Sequence, residues 1–242
     1  MTKLEAIDER RSRRLYLDKP IEASHLSKIK ELIAQYNDEY QLAIRFVEDG
    51  SGAFSSFRKS YGLFSGVRNL LVLAGSKTDP NLKEKAGYCG EMLVLEATML
   101  GLGTCWVGGT FDTKNDVFQL TSDEALVCVI PIGHVESLSF KEKMVHQMIA
   151  GKSKSIEQLM ISDAKIPSQY LEAMKAVQKA PSAAYRQPVR FDFKKGTLTV
   201  YTEDDGKLNL VDLGIVKAHF EIATGGQFER GNPARFLPGK PA

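Results

Sequence analysis

The chain has 242 residues, 43% hydrophobic and 26% charged, with 32 basic and 30 acidic side chains and a formal net charge of +2. That length fills one large domain or two small ones around a substantial core. The near-balance of charge gives no reason to invoke nucleic acid or an anionic membrane surface.

No run approaches the ~18–20 apolar residues of a membrane helix. The opening MTKLEAIDERRSRR lacks the apolar centre of a signal peptide. Cys89, Cys105 and Cys128 are odd in number and sit inside apolar segments, so they read as reduced core thiols of a cytoplasmic protein. The four histidines, His25, His134, His146 and His219, show no metal-ligand spacing, and no metal site is expected.

In chain order, residues 3–14 read as a helix that ends in a dense basic cluster, Arg10, Arg11, Ser12, Arg13 and Arg14. Such a run is usually a solvated face; the other reading is a phosphate clamp, since guanidinium forks and a hydroxyl suit phosphate oxygens. After the turn at Asp18 to Ile21, a helix capped by Ser24 carries the one-sided stripe Leu26, Ile29, Leu32 and Ile33. Ala43 to Val47 reads as a strand. Residues 49–66 are rich in Gly, Ser and aromatics and fit an irregular loop or short helix near a pocket, which Phe54, Phe57, Tyr61 and Phe64 could line. Asn69 to Ala74 and Leu126 to Ile132 read as buried strands, and residues 137–160 as an amphipathic crossover helix.

The stretch from Gly87 to Gly109 lies between those two strands. Met92, Leu93, Val94, Leu95, Ala97, Met99 and Leu100 make a helix that is apolar nearly all round, and such a helix expects cover on every side. Gly101 and Gly103 stop it, Thr104 to Val107 reads as a strand, and Gly108-Gly109 leaves main-chain amides bare of side chains. Residues 211–226 echo the pattern: Gly214 and Gly225 stand as far apart as Gly90 and Gly101 (225 − 214 and 101 − 90).

A shift of 145 residues superposes 18–46 on 163–191 without a gap, placing Tyr40 on Tyr185, Arg45 on Arg190 and Phe46 on Phe191. A period this long is a duplicated domain rather than a solenoid repeat. Two halves, 1–150 and 151–242, are expected to pack as a pseudo-twofold dimer within one chain. The copies differ instructively. At the matching shift the basic cluster is replaced by Ser155 to Leu159, and the second half alone carries Ala180-Pro181-Ser182-Ala183-Ala184-Tyr185-Arg186-Gln187-Pro188.

Three of these motifs together resemble the flavin-dependent nitroreductase family, over nearly the whole chain. That family carries Arg-Arg-Ser-x-Arg near its N-terminus, matched by Arg10, Arg11, Ser12 and Arg14. It carries Ala-Pro-Ser-Ala-x-Asn-x-Gln-Pro, matched by Ala180 to Pro188 except that Tyr185 replaces the asparagine. It also carries a helix ending Gly-Leu-Gly-Thr before a strand and a glycine pair, matched by Gly101 to Gly109. The chain is most similar to the subgroup with two half-domains fused.

The resemblance implies an α+β nitroreductase-like fold, duplicated within the chain, and one composite FMN site. Arg10, Arg11, Ser12 and Arg14 would bind the phosphate, with Lys141 as a second basic contact. Pro181, Ser182 and Ala183 would line the ring from the second half, joined by Tyr185, whose phenol stands in for the usual side-chain amide. Gly108 and Gly109 would lie near the flavin N5. The mirror site lacks both motifs and is expected to be empty.

In this family the flavin relays hydride while the protein binds and orients it, so no catalytic side chain is assigned. His219 reads as a satisfied core histidine. The expected partners are NAD(P)H and a nitroaromatic, quinone or similar flat acceptor, with the chain acting as a monomer. The alternative is an FMN-binding carrier or sensor without turnover; a further rival is a structural pseudo-dimer without flavin.

Overall fold

A computed structural model describes residues 1–54, 64–137, 143–144, 153–204, 206 and 208–239. The first half contributes helices α1 (Lys3–Glu9), α2 (Ala23–Tyr40) and α3 (Leu82–Met99). Its strands are β1 (Arg45–Val47), β2 (Asn69–Ser76), β3 (Gly103–Thr104) and β4 (Glu124–Gly133). They form an antiparallel sheet in the order β1-β2-β4-β3. Alternation sends β2 side chains to both faces: Leu71 and Leu73 enter the main core, Leu70 and Val72 a smaller cluster with Val129 and Phe118.

The second half follows the same plan. Its helices are α4 (Ile156–Leu159), α5 (Ser168–Gln178) and α6 (Asn209–Thr224), and its strands are β5 (Met160–Ser162), β6 (Arg190–Lys194), β7 (Thr197–Tyr201), β8 (Gln227–Phe228) and β9 (Ala234–Leu237). The sheet order is β5-β6-β7-β9-β8. Apart from the parallel edge strand β5, this repeats the first sheet pairing for pairing. The 145-residue shift holds where α5 and β6 begin against α2 and β1 (168 − 23 and 190 − 45). By β8 against β3 it has fallen to 124 (227 − 103). The shortening sits largely in one connection. Residues 48–68 join β1 to β2, whereas Lys195-Gly196 alone turns β6 into β7, both at positive φ (49° and 75°) as a two-residue hairpin turn requires.

The halves join where α3 crosses α6. A Cβ on Gly87 would meet the Val211 carbonyl oxygen at 2.1 Å, and one on Gly214 would meet that of Glu84 at 2.0 Å. These contacts are reciprocal, so Gly87, rather than Gly90, is the packing counterpart of Gly214. Gly90 instead accommodates Trp106 and Leu73. Beside the crossing, fully buried Lys217 binds Glu84 at 2.7 Å and the carbonyls of Glu229 and Gly231. Glu84 also accepts the Gly231 N–H at 2.8 Å, so the buried charges are paired and their remaining hydrogen-bond capacity is used.

Several expected boundaries move. Helix α1 stops at Glu9, because Arg10 is extended (ψ 129°) and Ser12 pairs with Thr104. Ser24 is no cap: α2 begins at Ala23, after Glu22, with no side-chain cap bond. Of the crossover segment, the described residues show helix at 143–144 and in α4, which is capped by Ser155, and Met160 at once enters β5. Most of 137–155 lies outside those residues. Where α2 runs on to Tyr40, α5 ends at Gln178, since Pro181 has no N–H and disfavours helical backbone at Ala180. Among the described residues no helix is long and apolar enough to cross a membrane, and no cluster could hold a metal.

The crossing predicts an ordering. Gly214→Ala, with backbone atoms in the path of its methyl, loses at least ~2 kcal/mol in denaturant melts. Gly101→Ala, at φ 74° with open space around it, loses about 1 kcal/mol. Equal losses would contradict the packing.

Candidate functional site

The basic segment leaves α1 and runs along the edge of β3. Ser12 bridges Thr104, the Arg13 N–H donates to the Thr104 carbonyl at 2.8 Å, and the Arg14 carbonyl accepts from the Ser65 N–H. The side chains fan out. Arg11 caps the end of α1 by donating to the Asp8 and Arg10 carbonyls, and Arg13 donates to the Glu136 carbonyl. Arg10 turns inward, with Nε 3.9 Å from Glu91 Oε1. That buried Nε has no hydrogen-bond partner among the described residues.

Glu91, fully buried midway along α3, is a hub. Its Oε2 accepts the Trp106 indole N–H at 2.9 Å, and its Oε1 lies 2.8 Å from His219 Nε2. His219 Nδ1 lies 2.9 Å from the Ala176 carbonyl on α5. A carbonyl only accepts, so Nδ1 carries hydrogen and the Glu91–His219 contact requires one further proton between its two atoms. Burial pushes the Glu91 carboxyl up, but His219, Arg10 and Trp106 together bring it below the ordinary glutamate value. Asp8 and Lys179 form an ion pair between the ends of α1 and α5. The basic segment and the start of the proline-serine segment are thus neighbours.

The proline-serine segment is a braced loop. Ala184, Tyr185 and Gln187 all have left-handed backbone, at φ 51°, 55° and 45°. Each such non-glycine residue costs on the order of 1–3 kcal/mol and persists only where its surroundings impose it. Here the Gln187 N–H donates to Ser182 Oγ at 3.0 Å and the Tyr185 N–H to the Ser182 carbonyl at 2.9 Å. The Gln187 side chain is clamped by the Lys154 N–H and the Gln178 carbonyl. The Ala183 N–H donates to both oxygens of Asp212, at 3.2 and 3.3 Å.

Asp212 is only 3% exposed. Burial pushes its carboxyl up to about 7, against the pull of the Ala183 N–H and the Arg186 charge. Beneath the loop, a cavity of about 10 Å³ between Pro181, Ser182, Gln187 and Asp212 has room for at most one water.

Leu208, just before α6, packs on Gly108, whose Cβ would lie 2.5 Å from Leu208 Cδ1; a Cβ on exposed Gly109 would have nothing within 4 Å among the described residues. The glycine pair and the proline-serine loop therefore flank the first turn of α6, while Arg10 and Trp106 meet at Glu91. Lys141, Phe57 and Tyr61 lie outside the described residues. Phe54 packs on Phe64 and Phe111, with ring centroids 5.1 and 6.1 Å away. Glu91 and Asp212 were missed from sequence as site residues. Their one signal is a carboxylate inside an otherwise apolar helical run.

The mirror position is filled. Tyr40, the counterpart of Tyr185, stays in helix α2, buried and stacked on Tyr88 with centroids 5.7 Å apart. Arg230 lies over Tyr40 at 4.3 Å and Tyr88 at 5.2 Å, and the Tyr88 hydroxyl donates to Glu221 at 2.8 Å.

The family model described as "Putative TM nitroreductase" matches residues 2–224. No curated protein matches the chain. The fold is similar to the crystal structure of a "putative nitroreductase" from Thermotoga maritima, at TM-score 0.67 and 21% identity, covering 100% of this chain and 95% of that one. A nitroreductase with bound FMN from Bacteroides fragilis overlaps 57% of this chain and 90% of its own, at 19% identity and TM-score 0.46. An FMN-dependent nitroreductase from Clostridium difficile overlaps 55% and 88%, at 19% identity and TM-score 0.46.

Asp212 yields a pH prediction. Its carboxyl rises from an ordinary 3.8 to about 7 in the folded chain, so between those values the native state holds a proton that the unfolded chain has released. This group's contribution makes stability fall as pH rises from about 4 to 7, by on the order of 4 kcal/mol, and then level off. Asp212→Asn keeps an acceptor for the Ala183 N–H and removes the titration. Thermal melts at pH 4.5 and 8 should show the variant gaining on the parent at the higher pH; a gap independent of pH would refute the assignment.

Proposed function

Because this chain belongs to the nitroreductase family, we propose that it binds one FMN per chain and is an NAD(P)H-dependent oxidoreductase. Its acceptor is a nitroaromatic, a quinone or a similarly flat molecule. The observation that carries the reading is the largely buried Arg10 side chain, whose Nε lacks a hydrogen-bond partner among the described residues. A phosphate is the kind of acceptor that Nε lacks. Arg10, Arg11, Ser12 and Arg14 hold it, with Lys141 as a second basic contact.

The open surface at Gly109 gives a flat ring access to main-chain donors. Gly108 and Gly109 face its N5 side, and Pro181, Ser182, Ala183 and Tyr185 line it from the second half. The halves 1–150 and 151–242 therefore each supply part of one site. The Tyr40–Tyr88–Arg230 stack occupies the mirror position, which favours a single flavin. FMN supplies hydride acceptance and donation at N5 of its ring. The protein's residues bind and orient the cofactor, and no side chain serves as acid, base or nucleophile. The chain acts as a monomer in the cytoplasm.

The visible spectrum of the purified protein, before and after incubation with FMN, tests the reading. A flavin band at one equivalent per chain, bleached anaerobically by NADH or NADPH, is expected. A protein that remains colourless refutes it, and a bound flavin that neither nucleotide bleaches leaves a carrier. Arg10→Ala with Arg14→Ala removes charge-assisted contacts of roughly 1.5–3 kcal/mol each and should abolish retention of FMN in titrations. Changing Ser155 or Glu157 to Ala should leave it intact.

A further inference from the structure

Tyr185 and Tyr40 occupy the same position in the two halves, yet the fold treats them oppositely. Tyr40 is 7% exposed, helical, and packed between Tyr36 and Tyr88 with Arg230 over its ring. Tyr185 is only partly buried, and its side chain has no hydrogen bond, ion pair or ring contact among the described residues. A large aromatic ring without such a partner, on a loop whose neighbours are all tied down, is unusual for a packing residue.

The backbone makes the contrast sharper. Tyr185 sits at φ 55°, a conformation that glycine and asparagine adopt with far less strain than tyrosine. Ala184 and Gln187 on either side are also left-handed. The bracing is all done by neighbours and by main chain: Ser182 Oγ and carbonyl, Asp212 under Ala183, and Lys154 and Gln178 around Gln187. The Tyr185 side chain contributes nothing to that scaffold, so loop stability does not account for a tyrosine here. Asp212 holds the same loop to the first turn of α6, and Gly108 packs on Leu208 just before that turn, so the loop and the glycine pair meet the same helix end.

We propose that Tyr185 is the specificity-determining residue of the site, its phenol ring a platform on which a planar aromatic acceptor stacks. An aromatic face offers offset stacking to a flat π-system and nothing comparable to a small inorganic oxidant. The inference rests on the FMN oxidoreductase reading above.

The test uses the flavin-loaded full chain with p-benzoquinone and ferricyanide as alternative acceptors, comparing the parent with Tyr185→Asn and Tyr185→Phe. Asparagine tolerates the left-handed backbone better than tyrosine, so loss of the loop's shape cannot explain its effect. Tyr185→Asn should raise KM for the quinone at least tenfold more than KM for ferricyanide, while Tyr185→Phe should keep the parental ratio. If both acceptors shift together in Tyr185→Asn, the ring is no acceptor platform and the inference falls while the flavin reading stands. If Tyr185→Phe behaves like Tyr185→Asn, the hydroxyl rather than the ring discriminates, and stacking is overturned. A chain that takes up no FMN at all removes both readings together.

Discussion

The close approach of α3 and α6 organises the rest of the molecule. Neither helix could come so near the other with a side chain at Gly87 or Gly214, since each missing Cβ lets a carbonyl of the partner helix occupy its place. That approach brings Glu91 of one half within reach of His219 of the other, and Lys217 within reach of Glu84. Buried charges are tolerated there because each has an opposite charge and most of its hydrogen-bonding atoms are engaged. The crossing is thus both the seam of the duplication and the support of the candidate site.

Around that seam the two halves have diverged by opposite local choices. In the first, helix α2 continues through the position of Tyr40 and the aromatic stack with Tyr88 and Arg230 closes the surface. In the second, a proline ends α5 two turns early, and the released residues form a loop held by Ser182, Asp212 and Lys154. One position was made part of the core and its counterpart was turned outward at the cost of backbone strain.

Electrostatics follow the same division. Glu91 is surrounded by donors, from His219, Trp106 and the nearby Arg10, and its carboxyl is held low despite complete burial. Asp212 has a single shared N–H and a more distant arginine, and burial wins. Two carboxylates near one site therefore sit on opposite sides of their ordinary range, because hydrogen-bond supply, not burial, differs between them.

Much of this was legible in the order of residues. The 145-residue repeat aligned α2 with α5 and β1 with β6, because those elements depend on local apolar period and on the same flanking residues in both copies. The apolar run ending at Gly101 announced a covered helix, since a helix without a polar face has no stable exposed arrangement. The family resemblance rested on three local motifs, and these could be read without knowing how they meet.

What could not be read was everything that depends on which surfaces touch. The partnership of Gly87 with Gly214, the inward turn of Arg10 to Glu91, and the hold of Asp212 on Ala183 join residues from 29 to 127 positions apart (212 − 183 and 214 − 87). The end of α1 at Glu9 was also decided from afar, by the pairing of Ser12 with Thr104. Local propensity is a weak prior of a few tenths of a kcal/mol per residue. A strand edge or a buried carboxylate offers more than that, and only the folded chain brings them to bear.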